Sequence, residues 1–161
     1  MKILFLRVAI IAIGVPILAL CIFLLPKIAI EAIGQLTTSG ANMAYVVLGI
    51  LLIMYISAIP FYLALYQGLK LLNYIDRNEA FSELSVKALR KVRNFSAVIS
   101  GLYILALPLI YIVADWDDAP GLLLIGMVII GSSMVIAVFS AVLKKLLQEA
   151  IRIKTENDLT V

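Results

Sequence analysis

The sequence predicts an all-α membrane protein: four transmembrane helices in an antiparallel bundle, with a cytoplasmic amphipathic helix between spans 2 and 3. Three observations predict it. Hydrophobic residues make up 64% of the 161-residue chain and charged ones 14%, against roughly 45–50% and about 25% in ordinary soluble domains. Four apolar runs, uncharged at their centres, each reach the roughly 17–25 residues that a helix needs to cross a bilayer. Finally, the 13 Lys and Arg residues lie almost entirely on one side of those runs. No water-soluble fold of this size hides so much apolar surface, so lipid is part of the solvent. Backbone groups in lipid must be satisfied within the segment, which leaves helices as the form of each run.

The first span covers residues 4–25. Arg7 sits at its edge, where the guanidinium snorkels back to the headgroups; at the membrane centre it would cost about 2.5–3.5 kcal/mol. Pro26 and Lys27 close this span, and a mixed connector runs to Met43, ending in the loop-like Thr37-Thr38-Ser39-Gly40. The second span is 44–66, followed by a charged loop, 67–94. The third span, 95–114, leads through the short turn Asp115-Trp116-Asp117-Asp118-Ala119-Pro120 to the fourth, 121–143. Lys144-Lys145 stops the fourth run, and a tail, 144–161, completes a single membrane domain, 1–161. Trp116, Tyr45, Tyr66 and Tyr111 lie near run ends and suit the interfacial aromatic belts.

Counting basic residues sets the orientation. The N-terminus, the central loop and the tail hold 2, 6 and 4 of them, and the two remaining connectors hold only Lys27. The positive-inside rule makes that rich side cytoplasmic. The expected location is the bacterial cytoplasmic membrane, multi-pass, with both termini in the cytoplasm. Glu31, Asp115, Asp117 and Asp118 fall on the other side.

Composition also narrows the chemistry. There is no histidine, which removes His-based acid–base catalysis, phosphotransfer and metal ligation. The single cysteine, Cys21, can form neither an intramolecular disulfide nor a cysteine cluster. Its neighbourhood, Leu18-Ala19-Leu20-Cys21, is a poor lipidation site, because Leu20 is bulky and the apolar chain continues; a buried apolar thiol is the plainer reading. The run is too long for a cleaved signal peptide and no small-x-small site follows it. Asp115, Asp117 and Asp118 supply too few oxygens for a Ca²⁺ or Mg²⁺ site and read as a solvated outer turn. No Asp, Glu, Lys or His lies in the middle of a span, which argues against a coupled pump. No constellation of nucleophile, base and orienting group exists, so no enzyme, cofactor or metal is expected. Pro16, Pro60 and Pro108 kink one span each and free a carbonyl, a device of transporter sites that is also common in membrane helices generally.

The features that carry function lie in the loop and the tail. Leu84, Ala88, Val92 and Phe95 fit one helical face, with Phe81 ahead of it. Ser82 is the expected N-cap and Glu83 favours the first turn. Lys87, Arg90 and Lys91 recur on another face, which places this basic amphipathic helix at the inner membrane surface, against anionic headgroups. The plain reading is a topogenic charge cluster; the sharper one is a docking surface for a cytoplasmic protein. Direct nucleic-acid binding is not expected, because the interleaved apolar residues suit lipid or packing and not base recognition. In the tail, Leu143, Leu146, Leu147, Ala150 and Ile151 form a stripe that can pack on the 82–95 helix. The last residues, Thr155 to Val161, either fray or add to a partner as a strand. Small residues at helical spacing, Ser133, Ala137 and Ala141 in the fourth span and Ala97, Gly101, Ser96 and Ser100 in the third, predict close packing of these two helices. Gly126 and Gly131 extend that contact, and such faces also serve a homo-oligomer. Tyr55, Tyr62 and Tyr66 share a face of the second span, where packing outweighs the alternative of lining a polar cavity.

The central segment Asn78-Glu79-Ala80-Phe81-Ser82, followed by Val86-Lys87-Ala88-Leu89-Arg90-Lys91-Val92, and the ending Ile153-Lys154-Thr155-Glu156-Asn157-Asp158-Leu159-Thr160-Val161 carry a resemblance. Through them the chain resembles the YoaS-like bacterial membrane proteins, four-span proteins of unknown biochemical function. The likeness covers essentially the whole chain, although only these two segments are distinctive. The resemblance implies a neighbour encoded alongside, a small helix-turn-helix regulator that the membrane protein holds or releases; it carries over no catalytic residue. The reading is therefore a non-enzymatic membrane protein acting through cytoplasmic protein contacts. Its candidate partner and lipid surface is Phe81, Lys87, Arg90, Lys91, Arg93, Asn157, Leu159 and Val161. The alternative is a small permease, channel subunit or immunity-type protein using the bundle interior.

Overall fold

The computed structural model describes residues 2–35 and 41–159. Every element among them is helical, and four stretches are long and apolar enough to cross a membrane: Ile3–Gln35, Asn42–Asp76, Glu83–Trp116 and Gly121–Leu159. The first stretch consists of α1 (Lys2–Ala19), a π-helical turn (Leu20–Leu24) and α2 (Leu25–Gln35); the others are α3 (Ala41–Asp76), α4 (Glu83–Trp116) and α5 (Gly121–Leu159). Large apolar side chains point outward all along these helices: Phe5, Phe23, Leu105 and Phe139 are among many that are mostly exposed. This inverted pattern is what a fold solvated by hydrocarbon requires. Tyr45, Tyr66, Tyr111 and Trp116 are exposed as well, in keeping with an interfacial position.

The two helix-to-helix turns among the described residues close in the same way. After α3, Asn78 takes a left-handed conformation with φ 60°, its N–H donates to Ile75 O at 3.2 Å and the Glu79 N–H donates to Tyr74 O at 2.7 Å. After α4, Asp118 has φ 50°, its N–H donates to Asp115 O at 3.4 Å and the Ala119 N–H donates to Ala114 O at 2.8 Å. This pair of bonds is the Schellman ending, normally completed by Gly and tolerated by Asn or Asp. Two of the Asp residues of this turn thus serve the end of α4.

The helices stand in a row. α1 and α2 lean on α3, α3 packs on α4, and α4 and α5 share the most extensive contact. On α5 the residues turned toward α4 recur at steps of four and three: Gly126, Ile130, Ser133, Ala137, Ser140, Lys144, Leu147 and Ile151 are all buried or half-buried. Small residues at alternate steps let the backbones approach, which is how helices associate where lipid is as apolar as leucine. A Cβ added to Gly126 would lie 3.2 Å from Ile110 Cδ1 and 3.4 Å from Leu107 Cδ2. On the third span the packed positions are Ser96 and Ser100, whereas Ala97 and Gly101 are exposed. Gly131 has nothing within 4 Å of an added Cβ.

Three differences from the sequence reading have clear physical causes. The amphipathic helix read at 82–95 between spans 2 and 3 is the first part of α4, and α3 runs on to Asp76, so only residues 77–82 connect them. The connector placed from Lys27 to Met43 is helical as far as Gln35; its Thr37-Thr38-Ser39-Gly40 lies outside the described residues. A π-turn ahead of Pro26 makes that continuation possible. The Leu25 N–H donates to Leu20 O, one residue farther back than in an α-helix, and absorbs the missing proline N–H. Third, the tail is helical through its described residues, with α5 continuing to Leu159. There Arg152 pairs with Glu149 and with Glu156, the latter at 3.4 Å, and the Thr155 hydroxyl donates to Ile151 O at 2.9 Å. At about 1.5 Å per residue, the 39 residues of α5 span about 58 Å. That is nearly twice the roughly 30 Å hydrocarbon core, so the basic end of the α4–α5 pair projects from the lipid.

Candidate functional site

The basic end is built on a rigid start to α4. Ser82 is extended, φ −138° and ψ 160°, and its side chain accepts from the Ser85 N–H at 3.5 Å, while the Ser82 hydroxyl donates to Glu79 O at 2.6 Å. The Ser85 hydroxyl also donates to Glu79 O, at 3.3 Å, and Ser85 and Val86 are almost wholly buried. One side of this helix therefore faces protein: Ser85, Ala88 and Leu89 are buried and Val92 is half-buried. Leu84, read from the sequence as part of that face, is instead exposed, as is Phe81. The buried face is thus rotated by one position from the one that apolar spacing suggests.

Lys87, Arg90 and Lys91 stand exposed on α4, and Arg93 is half-buried, its Nε and Nη2 donating to Asn94 Oδ1 at 3.2 and 3.0 Å. On α5, Lys144 occupies a seam position. Desolvation and the Arg93, Arg90 and Lys145 charges hold its ammonium below the usual lysine range. Arg152 engages Glu149, the carboxylate one turn beyond Lys145. Arg7 takes another route from the one read in the sequence. It donates to Asn73 Oδ1 and stands 3.7 Å from Asp76, tying the start of α1 to the end of α3. The Lys70 ammonium lies 4.9 Å over the Tyr66 ring.

Between the first and fourth spans, floored by α3 and α4, is a cleft of about 520 Å³. Its walls are apolar apart from Ser57, Ser96, Tyr103, Ser132, Ser133 and Cys21. Ser57 donates to Met54 O at 2.8 Å and lies 3.4 Å from the Tyr103 hydroxyl. Tyr55 and Tyr62 do not line it. The Tyr55 hydroxyl donates to Cys21 O at 2.8 Å and the Tyr62 hydroxyl to Gly14 O at 2.8 Å, so both join α3 to the first span. The Cys21 carbonyl needs such a donor, since the Leu25 N–H is diverted to Leu20 O and Pro26 has none to give. Gly14 lets α3 lie close to the first span: an added Cβ would sit 3.2 Å from Leu65 Cδ1 and 3.6 Å from Tyr62 Cε1.

Of the candidate surface, Phe81, Lys87, Arg90, Lys91 and Arg93 lie together at the start of α4, and Asn157 and Leu159 lie on the last turn of α5, with Leu159 80% exposed. Val161 lies outside the described residues. Sequence reasoning missed Lys144 as a neighbour of Arg90 and Arg93, although the four–three spacing from Gly126 points to it. It also missed the cleft residues Ser57 and Tyr103, which no periodicity separates from ordinary span residues. Among the described residues no group of three His, Cys, Asp or Glu side chains could hold a metal ion.

Comparison with known proteins gives the chain its family. The model of a family described as a protein of unknown function (DUF2975) matches residues 31–161. The chain is also 53% identical over 161 residues to the uncharacterized membrane protein YoaS of Bacillus subtilis (strain 168), a match covering 100% of this chain and 98% of that one. No solved structure matches. With four helices able to cross a bilayer and this relative along its whole length, the chain is a membrane protein that belongs to the DUF2975 family.

Proposed function

We propose that the protein is a non-enzymatic component of the bacterial cytoplasmic membrane that works through protein contacts at the basic end of α4 and α5. In this reading the four spans form an antiparallel bundle with both termini in the cytoplasm, and the basic end faces inward. One observation carries it: α4 and α5 stay helical well beyond their apolar stretches, and the projecting part keeps large apolar side chains exposed. Phe81, Leu84, Leu146, Ile153 and Leu159 are between 48% and 80% exposed amid Lys87, Lys91 and Lys154. Apolar anchors ringed by charge are the anatomy of a docking surface. A small helix-turn-helix regulator is the partner that the YoaS-like resemblance implies. The test is to delete residues 157–161 and, separately, to replace Phe81 and Leu84 by Ser, then measure transcription of the adjacent genes at matched membrane abundance. Altered transcription supports the reading. Unchanged transcription, with no helix-turn-helix protein recovered alongside the full-length chain from membranes, removes it.

The 520 Å³ cleft favours a second reading, a small permease, channel subunit or immunity-type protein. Its lining contains no charged side chain, which limits it to apolar or weakly polar cargo. Flux of such a tracer into proteoliposomes, abolished by Ser133→Leu, would favour this reading over the first.

A further inference from the structure

The cleft beside the first span offers hydrocarbon along its length and one free hydrogen-bond donor toward its end. α1 and α2 lean on α3 and make no extensive contact with α5, so the bundle is open on that side. Leu20, Val128 and Ile136, all lining residues, are exposed there. The first span contributes Ile17, Leu20, Cys21 and Leu25, the π-turn and its flanks, and π-turns recur at functional sites. On α4 the wall residues are Val92, Ser96, Ile99 and Tyr103, which share one helical face. At about 1.5 Å per residue they extend over about 16 Å, close to the roughly 15 Å that half of a roughly 30 Å hydrocarbon core provides. The cleft thus has the depth of one leaflet, and Ser96 stands where α4 passes from Arg93 and Asn94 into its apolar part. The hydroxyls on the wall differ in what they bond. Ser57 gives its proton to Met54 O at 2.8 Å, Ser133 gives its proton to Ile129 O at 2.8 Å, Tyr103 lies 3.4 Å from Ser57 and Ser132 is exposed. Ser96 is only 4% exposed, and among the described residues its hydroxyl has no hydrogen-bond partner. A buried donor of that kind is costly until an acceptor reaches it.

We propose that the cleft holds one acyl chain of a membrane lipid, its ester carbonyl accepting from the Ser96 hydroxyl and its hydrocarbon lying along Ile99 toward Tyr103. An acyl ester has the same layout as this wall: an acceptor at the leaflet boundary and nothing but hydrocarbon beyond it. No charged side chain lines the cleft, so the headgroup stays outside and its charge does not select the lipid. A transmembrane helix is excluded by size, because it is about 10–12 Å across with its side chains, too wide for about 520 Å³ over this length. The seated chain fills the open side of the bundle and gives Ser96 its acceptor. This assignment is independent of protein docking at the basic end. It also differs from passage of cargo, since the chain stays in place.

The test uses the full-length protein, stripped of lipid in a neutral detergent. It is given equal amounts of an ester-linked phosphatidylcholine and its ether-linked analogue with chains of the same length, and retained lipid is counted by native mass spectrometry. The ether form lacks only the carbonyls. The ester form should be retained about fivefold over the ether form, the net worth of one hydrogen bond. Ser96→Ala should erase that preference. Ser100→Ala, at a hydroxyl equally buried but no part of the wall, should keep it. Ala58→Leu, which enlarges a wall residue, should lose the preference by filling the cleft. Ester-linked phosphatidylglycerol and phosphatidylcholine should be retained alike. Equal retention of ester and ether lipids by the wild type overturns the proposal. So does a preference that survives Ser96→Ala or Ala58→Leu, and so does a several-fold lead of phosphatidylglycerol over phosphatidylcholine. Tracer flux is read separately: a protein that shows the ester preference and passes no tracer keeps this site and loses the permease reading.

Discussion

The link between Tyr55 and Pro26 can be measured as a double-mutant cycle. Tyr55→Phe removes the one hydroxyl that donates to Cys21 O, a 2.8 Å bond. In an ordinary membrane helix such a loss is small, about 0.6 kcal/mol on average and up to about 1.7, because the carbonyl keeps its helical partner. Here that partner is gone: the Leu25 N–H serves Leu20 O and Pro26 carries no N–H. The cost of Tyr55→Phe should therefore approach that of an unsatisfied buried acceptor, about 1.5 kcal/mol. Pro26→Ala restores an N–H within reach of this turn, so on that background Tyr55→Phe should cost only about 0.5 kcal/mol, a coupling of about 1 kcal/mol. Unfolding by SDS titration in mixed micelles, followed by far-UV circular dichroism, gives all four corners of the cycle. Tyr45→Phe, on a side chain that is 64% exposed, is the control and should be near neutral. Additive costs at Tyr55 and Pro26 would refute the argument, because the carbonyl would then not owe its need of a donor to the proline.

Four further outcomes follow from particular atoms. Ser100 Oγ is buried with no hydrogen-bond partner, so Ser100→Ala should be neutral or stabilising by about 1 kcal/mol in the same titration. Asp118→Gly should stabilise by up to about 1 kcal/mol, since Asp118 holds φ 50° at a position where glycine has no Cβ to clash. Gly126→Leu should separate α4 from α5 and lower stability by about 2 kcal/mol or more, because even a Cβ there meets Ile110 at 3.2 Å. Lys144 gives a pH dependence whose sign is fixed. Its folded value lies below the ordinary lysine value of 10.5, so in alkali the unfolded chain binds more protons. Stability should rise as pH climbs through the lowered value toward 10.5, and Lys144→Gln should flatten that part of the pH–stability curve.

The four apolar helices and the cap of α4 were legible in the residues. Uncharged runs bounded by Lys and Arg admit no other form in lipid, and Ser82 followed by Glu83 places the start of α4 where it is found. What escaped reading lies where lipid blurs the usual signal. In water, apolar periodicity marks the buried face; in hydrocarbon, Val98 and Leu105 gain nothing from burial and face outward, and the packed positions fall to Ser96, Ser100, Ser133 and Ser140. Size, not hydrophobicity, carries the information there. The polar residues after each run were read as boundaries, yet α3 and α5 simply continue, because Leu72, Leu147 and Ile151 still find α-helical neighbours. The π-turn was out of reach for another reason: Pro26 announces a defect, but Tyr55, 34 residues away from Cys21, determines how it is resolved.

That last feature bears on how the chain is assembled. The turns that join α3 to α4 and α4 to α5 are closed by bonds between near neighbours in sequence, so those helical hairpins can form as soon as their two arms have left the ribosome. The first span relies in addition on partners far along the chain. Its Cys21 carbonyl and Arg7 find Tyr55 and Asn73 only after the next span has entered the bilayer. Until then it crosses the membrane with an unmet acceptor and an unpaired guanidinium, and synthesis of the second span is what lets the first one settle.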